Sequence, residues 1–323
     1  MTPDAVQAAL HLWPGLEGGS ATLINLSENH TFRVDTPDGH HHILRVHRPG
    51  YHNRATIESE LAWLKALAEQ TDLKTVTPIP GVGGPLLQQV MDRESGARRF
   101  AVRFAFEPGV EPNADEPLEP LFAELGRMAA TCHTHVETWQ PPAGFTRPSW
   151  TPETMLSPGG LWGDWRVAPG VTAEVAALLE RASARLHADF AAYGATSDRF
   201  GLIHADMRLA NVLVHDGQAR LIDFDDCGFG WFIYDFGAAV SFFETDPRVE
   251  TLKQVWVDAY RRIRTLTAAD EQMLDAAVLL RRMVLLAWIG SHAEVELAQS
   301  LAPHFATGTV ELAERYLRKS STD

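Results

Sequence analysis

The run GLIHADMRLANVLVHDGQARLIDFDD, residues 201–226, sets His204, Asp206, Arg208 and Asn211 on one side of a hairpin signal. Asp223, Asp225 and Asp226 stand on the other. Its segments NVLV and ARLIDF read as strands that bury their flanks, and carboxylates beside a core usually have a ligand to hold. Phosphoryl transfer from a nucleotide uses such a set: a carboxylate to orient and deprotonate an acceptor hydroxyl, and oxygen ligands that hold Mg²⁺ against the phosphates. Magnesium takes carboxylate and amide oxygens and keeps several waters, so a pair of protein ligands suffices. Asp206, Asn211 and Asp223 supply these groups. A tight turn at Asp216-Gly217 would return Asp223 toward Asn211, with Asp206 beside them in HADMRLAN.

These residues need a scaffold. The segments TLINLSENHTFRVDT and HHILRVHR alternate like half-buried strands and flank Asp38-Gly39, a turn pair. ATIESELAWLKALAEQ places Ile57, Leu61, Leu64 and Leu67 on one helical stripe. VTPIP, LLQQVMD and RRFAVRFAF read as further strands. Pro108, Gly109, Pro112, Pro117 and Pro120 then crowd an acidic stretch, which marks a boundary. Beyond it PLFAELGRMAATCHTHVETW, TAEVAALLERASARLHADFAAYG and DPRVETLKQVWVDAYRRIRTL read as helices. AADEQMLDAAVLLRRMVLLAWIGSHAEVELAQSL reads as one long helix started by Thr267 and Asp270, and TVELAERYLRKS as another. The expected class is α+β: a small antiparallel sheet lobe over 1–103, a hinge over 104–110, and a large mainly helical lobe over 111–323.

A formal charge of −14, with 45% hydrophobic and 22% charged residues, describes a globular chain with a full core. That balance argues against a nucleic-acid partner, which needs clustered Lys and Arg, and suits either solubility or a cationic substrate. Cys132 and Cys227 stand far apart in no metal pattern and read as reduced thiols of a cytoplasmic protein. MTPDAVQAAL lacks the features of a signal peptide. MLDAAVLLRRMVLLAWIG is interrupted by Asp275, Arg281 and Arg282, so it reads as a buried helix and no membrane partner is expected. Oligomeric state is not legible.

HADMRLAN followed by LIDFDD resembles the catalytic loop and metal-binding strand of the protein-kinase-like fold. The resemblance is strongest to its aminoglycoside phosphotransferase and choline kinase branch, which includes homoserine kinases and a bacterial stress-response Ser/Thr kinase. It implies that Asp206 is the catalytic base, that Asn211 and Asp223 hold the metal, and that His204 is a structural histidine of the loop. Arg208 falls where protein kinases place a Lys that touches the transferred phosphate. In YDFG, Asp235 falls where the family braces the catalytic loop from below. Asp225 stands where protein kinases have Gly; it and Asp226 suit a second metal, a cationic substrate or a turn cap.

The resemblance also implies that the small lobe holds ATP. LSENHTFRV lies where the phosphate-covering loop belongs, with Ser27, Glu28, Asn29 and Thr31 near its tip. Arg45 in ILRV stands where protein kinases use Lys; Arg is always charged and can fork onto phosphate oxygens. Glu60 is its expected partner, with Glu58 the alternative. RFAFEPG is the expected hinge, and the backbone from Phe104 through Phe106 to Glu107 should meet adenine. His40, His41 and His42 read as a solvated turn rather than a metal site. Trp162 and Trp165, and Trp288 with His292, suit either cation recognition or ordinary packing.

The expectation is an ATP- and Mg²⁺-dependent kinase of a small-molecule hydroxyl, with an amine-bearing or cationic acceptor favoured. The alternatives are a protein Ser/Thr kinase of the stress-response type and a catalytically inactive nucleotide-binding scaffold. The short connection from DFDD to CGFGWFIYDFG leaves no room for an activation loop, which disfavours the first. The intact Asp206, Asn211 and Asp223 disfavour the second.

Overall fold

The structure, a computed structural model, describes residues 2–26, 29–92 and 96–319. In chain order its α-helices are α1 (Pro3–Ala9), α2 (Arg54–Gln70), α3 (Glu119–Thr138), α4 (Pro152–Met155) and α5 (Ala173–Tyr193). They continue as α6 (Tyr234–Ala239), α7 (Val249–Tyr260), α8 (Ala268–Gln272), α9 (Leu274–Ser291) and α10 (Glu296–Lys319). The strands are β1 (Ser20–Leu26), β2 (Asn29–Asp35), β3 (His41–His47), β4 (Pro78–Ile79), β5 (Leu87–Met91) and β6 (Arg98–Ala105). Then follow β7 (Ser149–Trp150), β8 (Phe200–Ile203), β9 (Val212–His215), β10 (Gln218–Leu221) and β11 (Gly228–Trp231).

These residues fall into two compact units. The first holds the chain up to Val110, together with Gln140–Arg147 and Leu213–Asp225. The second holds Glu111–Trp139, Pro148–Val212 and the chain from Asp226 onward.

In the first unit an antiparallel sheet runs β1-β2-β3-β6-β4, with β5 also on β6. Strand alternation sends Phe32, Val34, Leu44 and Val46 into a core with Val6, Trp13 and Leu16. The same alternation turns Arg45 and His47 to the opposite face, where register sets Thr31 across from Arg45 and Asn29 across from His47. Asn53 caps α2 in a reciprocal box with Thr56. The stripe Ile57, Leu61, Leu64 and Leu67 is buried, and so is Glu60.

The β9–β10 hairpin turns at Asp216 and Gly217, both at positive φ (49° and 73°), as a two-residue hairpin of this hand requires. Bridges Thr75–Leu221 and Val110–Val214 tie it to the first unit. Gly109 makes the second bridge possible: its φ is 147°, and a Cβ there would lie 2.9 Å from that of Leu213.

In the second unit α9 is apolar and buried on nearly every side from Leu274 to Ile289. α3 crosses α7 at Gly126, where an added Cβ would sit 2.4 Å from the Trp256 carbonyl oxygen. A sheet ordered β7-β11-β8 leads into residues 204–211. The single long helix expected from residue 268 onward is divided. Met273 caps α8, and α9 stops after Ser291, where His292 leaves the helical conformation (φ −119°, ψ 42°) and Ser291 Oγ donates to the Trp162 carbonyl at 2.6 Å. Residues 296–319 instead form one helix that contains Pro303. Packing of Phe305, Thr309 and Leu312 outweighs the backbone bond that the proline forfeits. No helix among the described residues is long and apolar enough to cross a membrane.

Candidate active site

In the first unit a buried ionic cluster forms around Arg45. Its Nη2 donates to both oxygens of Glu60 at 2.7 and 2.6 Å, and its Nη1 donates to Asp223 Oδ1 at 3.2 Å. Glu58 turns outward to Arg54. The Arg45 guanidinium also lies 5.1 Å over the Phe104 ring. Burial opposes its charge, yet Glu60, Asp225 and Asp223 together hold its pKa above the ordinary value. Asp223 has φ of 58° and a side chain 45% exposed, so its carboxylate remains open to solvent.

Asp225 is 3% exposed, and its carboxylate is engaged on several sides. Asn29 Nδ2 donates to Oδ2 at 2.7 Å, and His52 Nε2 lies 3.5 Å from that oxygen. His47 Nδ1 is 3.6 Å and Arg45 Nη2 3.8 Å from Oδ1. Burial would raise the Asp225 carboxyl, but Arg45 foremost and the neighbouring His52 hold it well below the usual range. Burial and then Arg45 push His47 down to about 3, so it is neutral. Arg147 donates to the Thr56 carbonyl at 2.9 Å and to the Asp225 carbonyl, tying residues 140–147 to both.

In the second unit the loop 204–211 is braced from within. Asp235 accepts from the backbone N–H of His204 at 3.1 Å and of Ala205 at 2.7 Å, and Ala205 sits at φ 67°. A lone alanine in the left-handed region is strained by roughly 1–2 kcal/mol, so the Asp235 bonds must overdetermine it. His204 Nδ1 accepts from the Asp206 N–H at 3.2 Å. Asp206 Oδ2 accepts from Asn211 Nδ2 at 2.6 Å and from Arg208 Nε at 3.2 Å. Arg281 of α9 donates to Oδ1. Asn211 Nδ2 also donates to the Asp206 carbonyl at 2.8 Å. Burial would raise the Asp206 carboxyl; Arg281 and then Arg208 outweigh it and keep it below the ordinary value.

The Asp206 carboxylate is thus ionised and fixed by three side-chain donors, Asn211 Nδ2, Arg208 and Arg281, as a group able to accept a proton or a hydrogen bond. Residues 21–271 match the model of a family described as the phosphotransferase enzyme family. The chain belongs to the phosphotransferase enzyme family. A microcompartment-associated aminopropanol kinase shares 44% identity over 98% of both chains, with a TM-score of 0.90. An amicoumacin kinase in complex with AMP-PNP and Ca²⁺ covers 95% of this chain and 92% of its own, at 18% identity and a TM-score of 0.77. The amicoumacin kinase of Bacillus subtilis (strain 168) is 25% identical over 211 residues, 65% of this chain. The chain spans 59 to 63% of the length of the curated relatives it matches. The fold is protein-kinase-like, an antiparallel sheet unit and a helical unit.

Within this family member, the residues singled out from sequence fall as follows. Ser27 and Glu28 lie outside the described residues. Asn29 is buried against Asp225 instead of standing at a loop tip, and Thr31 lies across from Arg45. Phe106 packs edge-on to His41 and beneath Arg33. His41 and His42 contact Asp35 and Arg103. Asn211 belongs to the second unit and Asp223 to the first. Asp226 is half-buried, and its carbonyl accepts from Trp150 Nε1 at 2.7 Å. Trp165 is fully buried beneath Arg166, and Trp288 stacks on His292. Trp162 covers Arg281 at 4.9 Å.

Sequence reading passed over His47, His52, Arg147, His133 and Arg281. His47 follows Arg45 by two residues in a strand and so shares its face. Two arginines inside the apolar α9 were the available signal for Arg281, because a buried guanidinium must have partners.

Proposed function

We propose that this chain is an ATP- and Mg²⁺-dependent kinase that phosphorylates the hydroxyl of a short amino alcohol. The observation that carries the reading is the Asp206 carboxylate, ionised and held by Asn211, Arg208 and Arg281 in a loop locked by Asp235. The 44% identity to an aminopropanol kinase, over nearly the whole of both chains, supports the acceptor class. The net charge of −14 is compatible with a cationic substrate, as it is with plain solubility.

By type, the residues of each unit suit a nucleotide or a hard metal ion. The Asn211 amide oxygen and the open Asp223 carboxylate are hard oxygen donors of the kind Mg²⁺ takes. Arg45, steadied by Glu60, supplies a fixed cation for phosphate oxygens. When bound, the metal offsets phosphate charge. Asp206 orients the acceptor hydroxyl and takes its proton as the acceptor oxygen bonds to the γ-phosphorus and the γ-P–O bond to ADP breaks, with ADP as the leaving group. A carboxyl held below its ordinary pKa is a weak base, so orientation is the larger part of its task. Cys132 and Cys227 are buried and outside any disulfide, which accords with a cytoplasmic setting.

The test is acceptor-dependent ADP release with aminopropanol, ethanolamine, choline, spectinomycin and a Ser/Thr protein acceptor. Selective turnover of the short amino alcohols is the expected result. Turnover of a bulky antibiotic alone would replace this reading with a resistance kinase, and turnover of a protein Ser/Thr acceptor alone would replace it with a protein kinase.

A further inference from the structure

α9 buries two adjacent arginines, Arg281 at 0% and Arg282 at 4% exposure. Each guanidinium taken out of water costs several kcal/mol unless its hydrogen bonds are made. Successive helix residues point about 100° apart, so the pair serves two different neighbourhoods. Arg282 has a packing role. It donates to Glu244 at 2.6 Å, to Thr309 Oγ1 at 3.0 Å and to the Phe305 carbonyl at 2.8 Å, which fastens α10 to α9.

Arg281 faces the catalytic loop. Besides the Asp206 carboxylate, it donates from Nη1 to the Ala205 carbonyl at 3.3 Å and from Nε to Ser241 Oγ at 2.9 Å. The Trp162 ring covers its face. Ser241 is anchored through its own hydroxyl to the Ala238 carbonyl at 2.6 Å, and the next residue, Phe242, sits at φ 75°. A half-buried phenylalanine at positive φ is an outlier that persists only where surroundings fix it. The guanidinium is thus held on its Nε side by Ser241 and on its face by Trp162. What it presents to Asp206 is a fixed donor. Arg208, 26% exposed on the same loop as Asp206, has no comparable anchor among the described residues.

We propose that Arg281 is a positioning residue for phosphoryl transfer. By holding Oδ1 it fixes the orientation of the Asp206 carboxylate, and through it the acceptor hydroxyl, without itself touching substrate. This rests on the kinase reading of Asp206. The guanidinium stays protonated throughout; the hydroxyl proton passes to Asp206 alone.

The experiment compares wild type, Arg281→Met, Arg281→Lys and Ser241→Ala for kcat, KM of the acceptor, nucleotide Kd and melting temperature, with a crystal structure of Arg281→Met. The expected result for Arg281→Met is a kcat lower by about 100-fold, the scale of loss for a misplaced reacting group. Nucleotide Kd should stay within about twofold, since only a step after binding is affected. Arg281→Lys should recover about tenfold of that loss, because it restores the charge without the fork. Ser241→Ala should lose only a few-fold. The crystal structure should show the Asp206 carboxylate turned. If Arg281→Met does not fold, the Lys and Ala variants decide by the same split between kcat and nucleotide Kd. An unchanged kcat, or a fall in kcat matched by a fall in nucleotide binding, overturns the proposal. A wild type inactive with every acceptor removes the kinase reading; an unmoved carboxylate in Arg281→Met removes the part given to Arg281, whatever the activity.

Discussion

His133 of α3 and Asp235 at the start of α6 are both fully buried, with His133 Nε2 3.0 Å from Asp235 Oδ2. Burial pushes the imidazole pKa down against the pull of Asp235, so the ring is neutral. Nε2 then donates to Asp235 and Nδ1 accepts from the Tyr260 hydroxyl at 3.0 Å. Arg264 donates to that same hydroxyl at 3.2 Å. A chain of hydrogen bonds therefore runs from Arg264 through Tyr260, His133 and Asp235 to the N–H groups of His204 and Ala205.

Replacing Asp235 by Asn sets a donor among groups that already donate. Asp235→Asn should lower unfolding stability by about 2–3 kcal/mol, the scale of a lost charge-assisted bond. It should also release Ala205 and suppress turnover. Urea unfolding beside an activity assay checks both; a variant as stable and as active as wild type would show that the brace is dispensable.

Arg45→Met leaves Glu60 and Asp225 buried without their cation. Breaking a buried pair from one side costs about 3–5 kcal/mol, so this variant should melt well below wild type. Arg45→Lys keeps the charge and should lose less. Both should bind ATP more weakly in a titration, and unchanged nucleotide affinity in Arg45→Met would remove Arg45 from the phosphate site.

His47 gives a pH dependence with a definite sign. Its pKa falls from 6.5 in the unfolded chain to about 3 in the fold, so the unfolded state binds the extra proton between those values. The stability it contributes is full above pH 6.5 and is lost as pH falls toward 3. The slope is about 1.4 kcal/mol per pH unit. His47→Gln should flatten this part of a stability–pH curve measured by denaturant unfolding. An equally steep curve in the variant would assign the acid sensitivity elsewhere.

Gly126→Ala inserts a methyl 2.4 Å from the Trp256 carbonyl oxygen, against backbone that cannot swing away. α3 and α7 must part, at a cost of roughly 1–3 kcal/mol. A melting temperature equal to wild type would mean that the crossing is looser than described.

Much of this was legible in the sequence where partners are near one another or where a period declares a face. The i, i+3, i+4 stripe of α2 and the Asp-Gly turn of the β9–β10 hairpin are local signals, and both elements form there. Asp206 and Asn211 lie five residues apart in one loop, so their pairing was short-range. Asn29 was not legible, because what draws it inward is Asp225, 196 residues away. Arg281 was read only as an interruption of an apolar run; its partner Asp206 is 75 residues distant. The break before α10 and the survival of Pro303 inside it depend on Trp162 and on the packing around Phe305, which no local window contains.

The most direct measurement is ³¹P NMR of ATP, Mg²⁺ and aminopropanol with wild type and with Asp206→Asn. A phosphomonoester signal should grow with wild type. It should be slower by about 10³-fold or more with the variant, while nucleotide Kd stays unchanged, as expected when only the chemical step loses its carboxylate. Equal phosphomonoester formation by both proteins would contradict the role given to Asp206. Nucleotide binding with no phosphomonoester from any hydroxyl acceptor would contradict the kinase reading itself.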